Sequence, residues 1–452
     1  VKKLFVSLVV FTVVACKKDA PPAPPPEAAD AAPVAPKEAR ADAAVAPQAC
    51  PPIDKAKAEP FKCEMTSLPF PVPPLEDPKA SMVPFYEHLA QLVRGTAKDH
   101  VRIAMYGDSN LTADYLTARM RRKLQERFGD GGHGYVALAK PWDWYSHNDV
   151  HHDGDWKKWK AIATSTHKVQ DGHYGFANIG SDGNTPGAAA WVSTDPVKGS
   201  PIGLTANRFD LFYAKRPGGG ELEVQLDGNP VKTLDTKADD WEAAFEKFET
   251  TDAHHELKVV VKKGPVRVYG VAIERDPPSV QVDSLGTGSL NMEQMVQVQK
   301  ASRAAGLKRR NYDLVIIHLG TNMFGFDAAY RKLGKQIIDE FHEALPKLPF
   351  LMLSPPDALE EGQDYVDPRI ARLVVTMKGI ATENDQAYWD FYAAMGGKGS
   401  IKTFQQRGLA GKDGIHLSRE GDQMLADRML CAITADFAAW LEKNPDAGCP
   451  KQ

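Results

Sequence analysis

The sequence predicts a three-layer α/β fold, a doubly wound parallel sheet covered by helices on both faces and interrupted once by an inserted β-sandwich. Three observations predict it. Continuous apolar runs at 101–106, 280–284, 314–319, 350–353 and 387–391 read as strands buried on both faces. Amphipathic helical patterns at 113–128, 292–305, 328–345 and 369–383 alternate with those runs, as in a parallel sheet. From 131 to 274 the texture changes: period-two segments at 209–214, 221–226, 258–261 and 266–272 are separated by turns such as Arg216 to Gly220 and Asp227 to Pro230.

The elements follow in chain order. Lys2 and Lys3 precede an apolar run at 4–14, a secretion signal over 1–15 that is too short to remain as a spanning helix. Its end, Val13-Val14-Ala15-Cys16, resembles the lipobox of bacterial lipoproteins. That resemblance implies cleavage before Cys16 and lipidation there. The protein would then be anchored in the bacterial cell envelope, at the outer membrane facing the periplasm or the cell surface. Residues 16–60 are dominated by Ala, Pro and scattered charges, which cannot bury enough surface to fold and suit an extended tether. A short helix is expected at 82–93. The α/β part is expected to be discontinuous, 61–130 and 275–452, with the sandwich at 131–274.

In a 452-residue chain with 43% hydrophobic residues, a large core and more than one folded unit are expected. A formal net charge of -4 gives no electrostatic footprint for nucleic acid, and such functions are set aside. Apart from Cys16, four cysteines remain in a chain expected to be exported, where disulfides persist. Proximity favours Cys50 with Cys63 and Cys431 with Cys449; Cys431 could equally be a free, buried helix residue.

Four strand or loop ends carry residues suited to chemistry. The first strand ends in Tyr106-Gly107-Asp108-Ser109-Asn110 with a helix close behind. Ligands of open parallel sheets bind beyond the carboxyl ends of the strands, which puts the Ser109 hydroxyl where chemistry occurs. Taken alone, Asp-Ser-Asn before a helix is also what an N-cap looks like. Near the C-terminus, Asp413 stands three residues before His416, with Ser418 as the N-cap of a final helix to about 441. An Asp at that spacing can fold back on the imidazole and fix its tautomer, preparing a base for a serine. A surface Asp-Gly turn with a solvated His is the plainer reading of this segment by itself. The third strand closes in Gly320-Thr321-Asn322, whose side-chain amide can point at a reacting carbonyl, and the second ends in the glycines of Asp283-Ser-Leu-Gly-Thr-Gly288.

These blocks, GDSN, DSLGTGS, GTN and DGIHLSREG, resemble in order and position those of the SGNH (GDSL-like) hydrolases. The resemblance implies a flavodoxin-like sheet, Ser109 as nucleophile, His416 as base and Asp413 as its orienter. It also implies an oxyanion hole from the Ser109 amide, the Gly288 amide and the Asn322 side chain, with Gly286 as the alternative to Gly288. Asn110 and Met323 depart from residues common in the family, Leu and Asp. A finer resemblance, carried by the insertion and by 128–135 (FGDGGHGY), is to envelope peptidoglycan O-acetylesterases whose insertion resembles a carbohydrate-binding module. It implies an O-acetylated glycan as substrate and partner, cleaved through an acyl-enzyme. Acyl transfer of this kind requires no cofactor and no metal. A glycan O-acetyltransferase, a lipase or thioesterase, and a non-catalytic glycan-binding lipoprotein are the alternatives.

Other residues are set aside. Trp142, Trp144, Tyr145, Trp156 and Trp159 could stack sugar rings but read more simply as sandwich core. His147, His151 and His152 with Asp149 and Asp153 fit no zinc spacing and read as a solvated loop, as do His254 and His255. His318 reads as a satisfied core histidine.

Overall fold

The computed structural model describes residues 50–62, 68–155, 157–194 and 200–450. The signal segment, Cys16, the tether up to residue 49, Cys63 and Trp156 lie outside the described residues.

Five strands, Val101–Gly107, Val280–Gly286, Leu314–His318, Phe350–Leu353 and Ala387–Trp389, form one sheet. All neighbours in it are parallel. The first strand lies between the second and the third, giving the flavodoxin-like order 2-1-3-4-5 with its switch point between strands 1 and 3. The continuous apolar runs arise because both faces are covered. Ile103 and Met105 belong to one core with Leu425, Met429 and Phe437 of the last helix, whereas Ala104 and Tyr106 belong to the other with Leu307, Ile337 and Phe341. Alternate residues of one strand thus fill opposite layers.

Helices Val83–Arg94, Tyr115–Phe128, Asp327–Ala344, Pro368–Glu383 and Arg419–Lys443 lie within a residue or two of the periodic segments. The pattern at 292–305 instead divides into Met292–Met295 and Lys300–Arg310. Asn291 closes a capping box on the first piece, and before the second the Gln299 N–H donates to the Gly172 carbonyl of the insertion at 2.8 Å. The last strand stops at Trp389 because Asp390 caps a new helix, Phe391–Met395, accepting from the Ala393 N–H at 2.8 Å.

Among the described residues the insertion forms two antiparallel sheets, of six and five strands. Ala206–Lys215, Glu221–Leu226, Glu256–Lys263 and Val266–Glu274 correspond to the period-two segments. Their inward residues, among them Phe209, Leu211, Val224, Val259 and Val271, make a third core between the sheets.

A buried charge network joins the insertion to the parallel sheet. Glu274, the last residue of an insertion strand, accepts from Arg102 Nε of the first parallel strand at 3.1 Å and from Arg310 Nη1 at 2.6 Å. Arg310 also donates to Asp283 at 2.8 Å, and Asp283 in turn accepts from Tyr312 OH at 2.6 Å and from the Tyr135 N–H at 2.9 Å. Burial works against the charge on Glu274, but Arg310 and Arg102 hold its carboxyl well below the ordinary range.

Two expectations for the N-terminal segment are corrected. Residues 50–60 are not all tether: Asp54 caps a short helix, Lys55–Ala58, its N–H reaches the Val93 carbonyl at 3.1 Å, and Ile53 packs on the core. Cys50 pairs with Cys449 and not with Cys63, which also excludes Cys431 with Cys449. Cys431 is itself disulfide-bonded, so it is not a free thiol. Nearness in sequence misleads here because the two ends of the folded region meet in space, across a separation of 399 residues.

Candidate active site

The first parallel strand stops at Gly107, and a single 3-10 turn, Ser109–Leu111, follows at once. Asp108 builds that turn. One oxygen of its buried carboxylate accepts from the Asn110 backbone and side-chain N–H groups, both at 3.0 Å, and the other accepts from Thr321 Oγ1 at 2.7 Å. Asp108 thereby ties the serine turn to the end of the third strand, across the switch point. Leu111 allows no side chain at its neighbours: a Cβ on Gly286 would lie 2.7 Å from the Leu111 carbonyl carbon, and one on Gly107 would overlap its side chain at 2.4 Å.

Ser109 Oγ lies 2.8 Å from His416 Nε2, and His416 Nδ1 lies 2.8 Å from Asp413 Oδ2. The other oxygen of Asp413 accepts from the backbone N–H groups of Ile415 and His416 at 2.9 and 3.1 Å, the fold-back anticipated from the three-residue spacing. Partial burial raises the Asp413 carboxyl, but the His416 ring and these two amides outweigh it and keep it below the usual carboxylate value. Gly414 enters the left-handed region at φ 66° and makes the tight loop possible. Ser418 caps the following helix through the Gly421 N–H at 3.2 Å.

Both groups open into a pocket of about 560 Å³, which Asn322 also lines. The Asn322 side chain makes one long contact, 3.3 Å to Thr321 Oγ1. Gly288 is partly exposed in the turn before Ser289, a pocket residue, and its N–H makes no hydrogen bond among the described residues. Gly286 is instead the buried last residue of its strand, paired with Gly107. The geometry brings together a hydroxyl, an imidazole and a carboxylate in a chain of hydrogen bonds, the arrangement of nucleophilic acyl transfer.

Residues 263–429 match the model of the family described as GDSL-like Lipase/Acylhydrolase. The chain carries an SGNH/GDSL hydrolase domain. The match covers Asn322, Asp413 and His416 and begins after Ser109, because the insertion separates the nucleophile strand from the rest of the hydrolase. No curated protein matches the chain by sequence. Among solved structures, a peptidoglycan O-acetylesterase is similar at 21% identity, covering 81% of this chain and 99% of its own, with a TM-score of 0.68, which shows a shared fold. A family two carbohydrate esterase from Cellvibrio japonicus is similar at 11% identity over 65% of this chain and 99% of its own; its TM-score of 0.26 carries no argument.

Several residues of the hydrolase stand differently from the sequence reading. Asp108 and Thr321 were not singled out, although the Asp preceding the serine was a visible signal. Asp422 was also missed. It lines the pocket from the first turn of the last helix, its Oδ1 has no hydrogen-bond partner among the described residues, and burial alone pushes its carboxyl well above the ordinary value. Asn110 is buried and serves Asp108, and Met323 is buried in the second core, where a charged Asp would be costly. His318 is buried as expected but is not satisfied, since neither ring nitrogen has a hydrogen-bond partner among the described residues. His147 and Asp149 are buried instead of solvated, Asp149 pairing with Arg122 Nε at 2.6 Å. His255 is buried too and bonds Asp227 at 2.7 Å. His254 Nδ1 lies 3.2 Å from Thr194 Oγ1. Among the described residues no group of three or more His, Cys, Asp or Glu is arranged to hold a metal ion. Of the aromatics assigned to sandwich filling, Tyr145 and Trp159 are buried, whereas Trp144 is 65% exposed and lines the pocket with Ser109.

Proposed function

We propose that this hydrolase is a serine esterase that removes O-acetyl groups from an envelope carbohydrate, peptidoglycan being the leading candidate. The observation that carries the reading is the 2.8 Å approach of Ser109 Oγ to a His416 ring already oriented by Asp413. His416 Nε2 takes the Ser109 proton as Oγ attacks the ester carbonyl. The Ser109 and Gly288 amides and the Asn322 side chain donate to the oxyanion. Collapse breaks the bond to the sugar oxygen, which leaves with the proton from His416, and an acetyl-Ser109 ester remains. Water, deprotonated by His416, releases acetate and restores the hydroxyl. Asp413 holds the imidazole in the right tautomer and stabilises the imidazolium without itself taking the proton.

Water can reach the acyl-enzyme, because the His416 side chain is 43% exposed. The fold shared with a peptidoglycan O-acetylesterase supports the choice of glycan. The lipobox-like Val13 to Cys16 supports an anchor that would hold the enzyme beside such a polymer. Incubation with O-acetylated and de-acetylated peptidoglycan tests the substrate: acetate is expected from the first alone, together with labelling of Ser109 by a fluorophosphonate. Labelling without acetate release would remove peptidoglycan and leave an esterase of another substrate. Absence of labelling would remove the mechanism. Loss of radiolabelled fatty-acid incorporation in Cys16→Ser tests the anchor, and undiminished incorporation would rule it out.

A further inference from the structure

Among the described residues of the insertion, Trp144 is the one that lines the catalytic pocket. An indole left 65% exposed, its ring only tilted against Trp142 at 6.4 Å, forgoes the burial that makes tryptophan useful to a fold, while Tyr145 beside it is buried. Tyr145 is buried and accepts the Ala137 N–H on its hydroxyl at 2.9 Å, and the Trp142 ring packs edge-on against it at 5.6 Å. The Tyr145 N–H closes a turn onto the Trp142 carbonyl at 3.1 Å, with Trp144 projecting from it.

This turn is fastened to the backbone that follows the nucleophile. Asn148 donates its N–H to Asp114 at 2.7 Å and its side-chain amide to the Ala113 carbonyl at 2.9 Å. The Ser146 N–H reaches the Thr112 carbonyl at 3.4 Å, and Asp149 is held by Arg122. Thr112, Ala113 and Asp114 stand three to five residues after Ser109, so the loop that carries Trp144 is positioned by the segment that carries the nucleophile. Trp144 accordingly lines the same pocket as Ser109 and His416, together with Phe324 from the loop after Asn322. Phe324 is 67% exposed and has the Arg369 guanidinium 4.0 Å from its ring centre. A pocket of about 560 Å³ is of the size that encloses a drug-sized ligand and far more than an acetyl group fills.

A hexopyranose presents one face of C–H bonds and a rim of hydroxyls, which suits a flat aromatic surface at the wet mouth of a pocket. We propose that Trp144 is the stacking platform for the sugar ring that bears the ester, so that the insertion selects substrate inside the catalytic pocket. This rests on the reading of an O-acetylated glycan as substrate.

The test is the ratio of kcat/KM for acetate release from O-acetylated glycan to that for 4-nitrophenyl acetate, in the full chain. Trp144→Ala is expected to lower the ratio roughly tenfold, mainly through KM for the glycan, and Trp144→Phe to recover most of it. An unchanged ratio overturns the proposal, whether both activities stay or both fall together; the second result would make Trp144 a prop for the nucleophile segment. A wild-type enzyme that releases acetate from no glycan overturns the parent reading instead. A wild type active on glycan with an indifferent Trp144 leaves that reading standing and removes only this one.

Discussion

Two carboxylates in this molecule meet a basic side chain in opposite environments. Asp413 and His416 meet on a loop where their side chains are 48% and 43% exposed, whereas Glu274 and Arg310 meet where 6% and 2% remain. Both contacts have hydrogen-bonding geometry, at 2.8 and 2.6 Å, so geometry alone does not distinguish them. Exposure does. An exposed pair contributes only about 0–1 kcal/mol to stability, and water near it lets His416 gain and lose a proton in each turnover. The buried pair cannot lose one partner without stranding the other in a medium that cannot solvate it. One contact is suited to changing charge and the other to keeping it.

The contrast can be broken in order of expected effect. Ser109→Ala should cut ester turnover by about a millionfold, the scale for removing a nucleophile that acts within a triad, with the melting temperature unmoved because the side chain opens into the pocket. Residual turnover close to wild type would discard the assignment. Glu274→Ala should do the converse, costing roughly 3–5 kcal/mol in denaturant unfolding while the folded fraction keeps its activity. A neutral effect would mean that the junction between insertion and sheet does not depend on this network. Asn322→Ala should lower kcat by about a hundredfold or more, as for one lost oxyanion donor, without a change in stability; an unchanged kcat removes Asn322 from the chemistry.

The last expectation concerns pH. Burial pushes the His100, His133 and His152 imidazoles down to about 4, and His147 well below its ordinary value. These rings are neutral in the folded protein, while the unfolded chain protonates them near pH 6.5. Stability should therefore be insensitive to them above pH 7. It should fall as the pH drops from 6.5 towards 4, by up to about 1.4 kcal/mol per pH unit for each ring. Denaturant midpoints that stay level between pH 7 and 4.5 would contradict this burial.

How much was legible varied with the range of the interaction. The Asp413 fold-back onto His416 spans three residues, and the Ser418 cap is just as local, so spacing sufficed. The parallel strands were visible because burial on both faces leaves them mainly apolar. Short strands such as Gly134–Ala137 and His151–Gly154 carry too few residues for a period to show, and His151–Gly154 was read as loop. Trp144 and Trp159 are equally apolar in the sequence, yet one faces the pocket and the other the sandwich core.

The sequence by itself determined the alternation of strands and helices and the place where the insertion interrupts it, because each depends on neighbours within a few residues; it pointed to the serine, histidine and aspartate only when four separate blocks were read together. Tertiary structure alone decided that Cys50 meets Cys449, that Glu274 binds two arginines from the parallel-sheet half, and that an insertion tryptophan lines the catalytic pocket. The physical reason is common to all three. Such contacts join segments tens to hundreds of residues apart, and only the packed core brings those segments within the few ångströms over which a bond, an ion pair or a stacked ring acts.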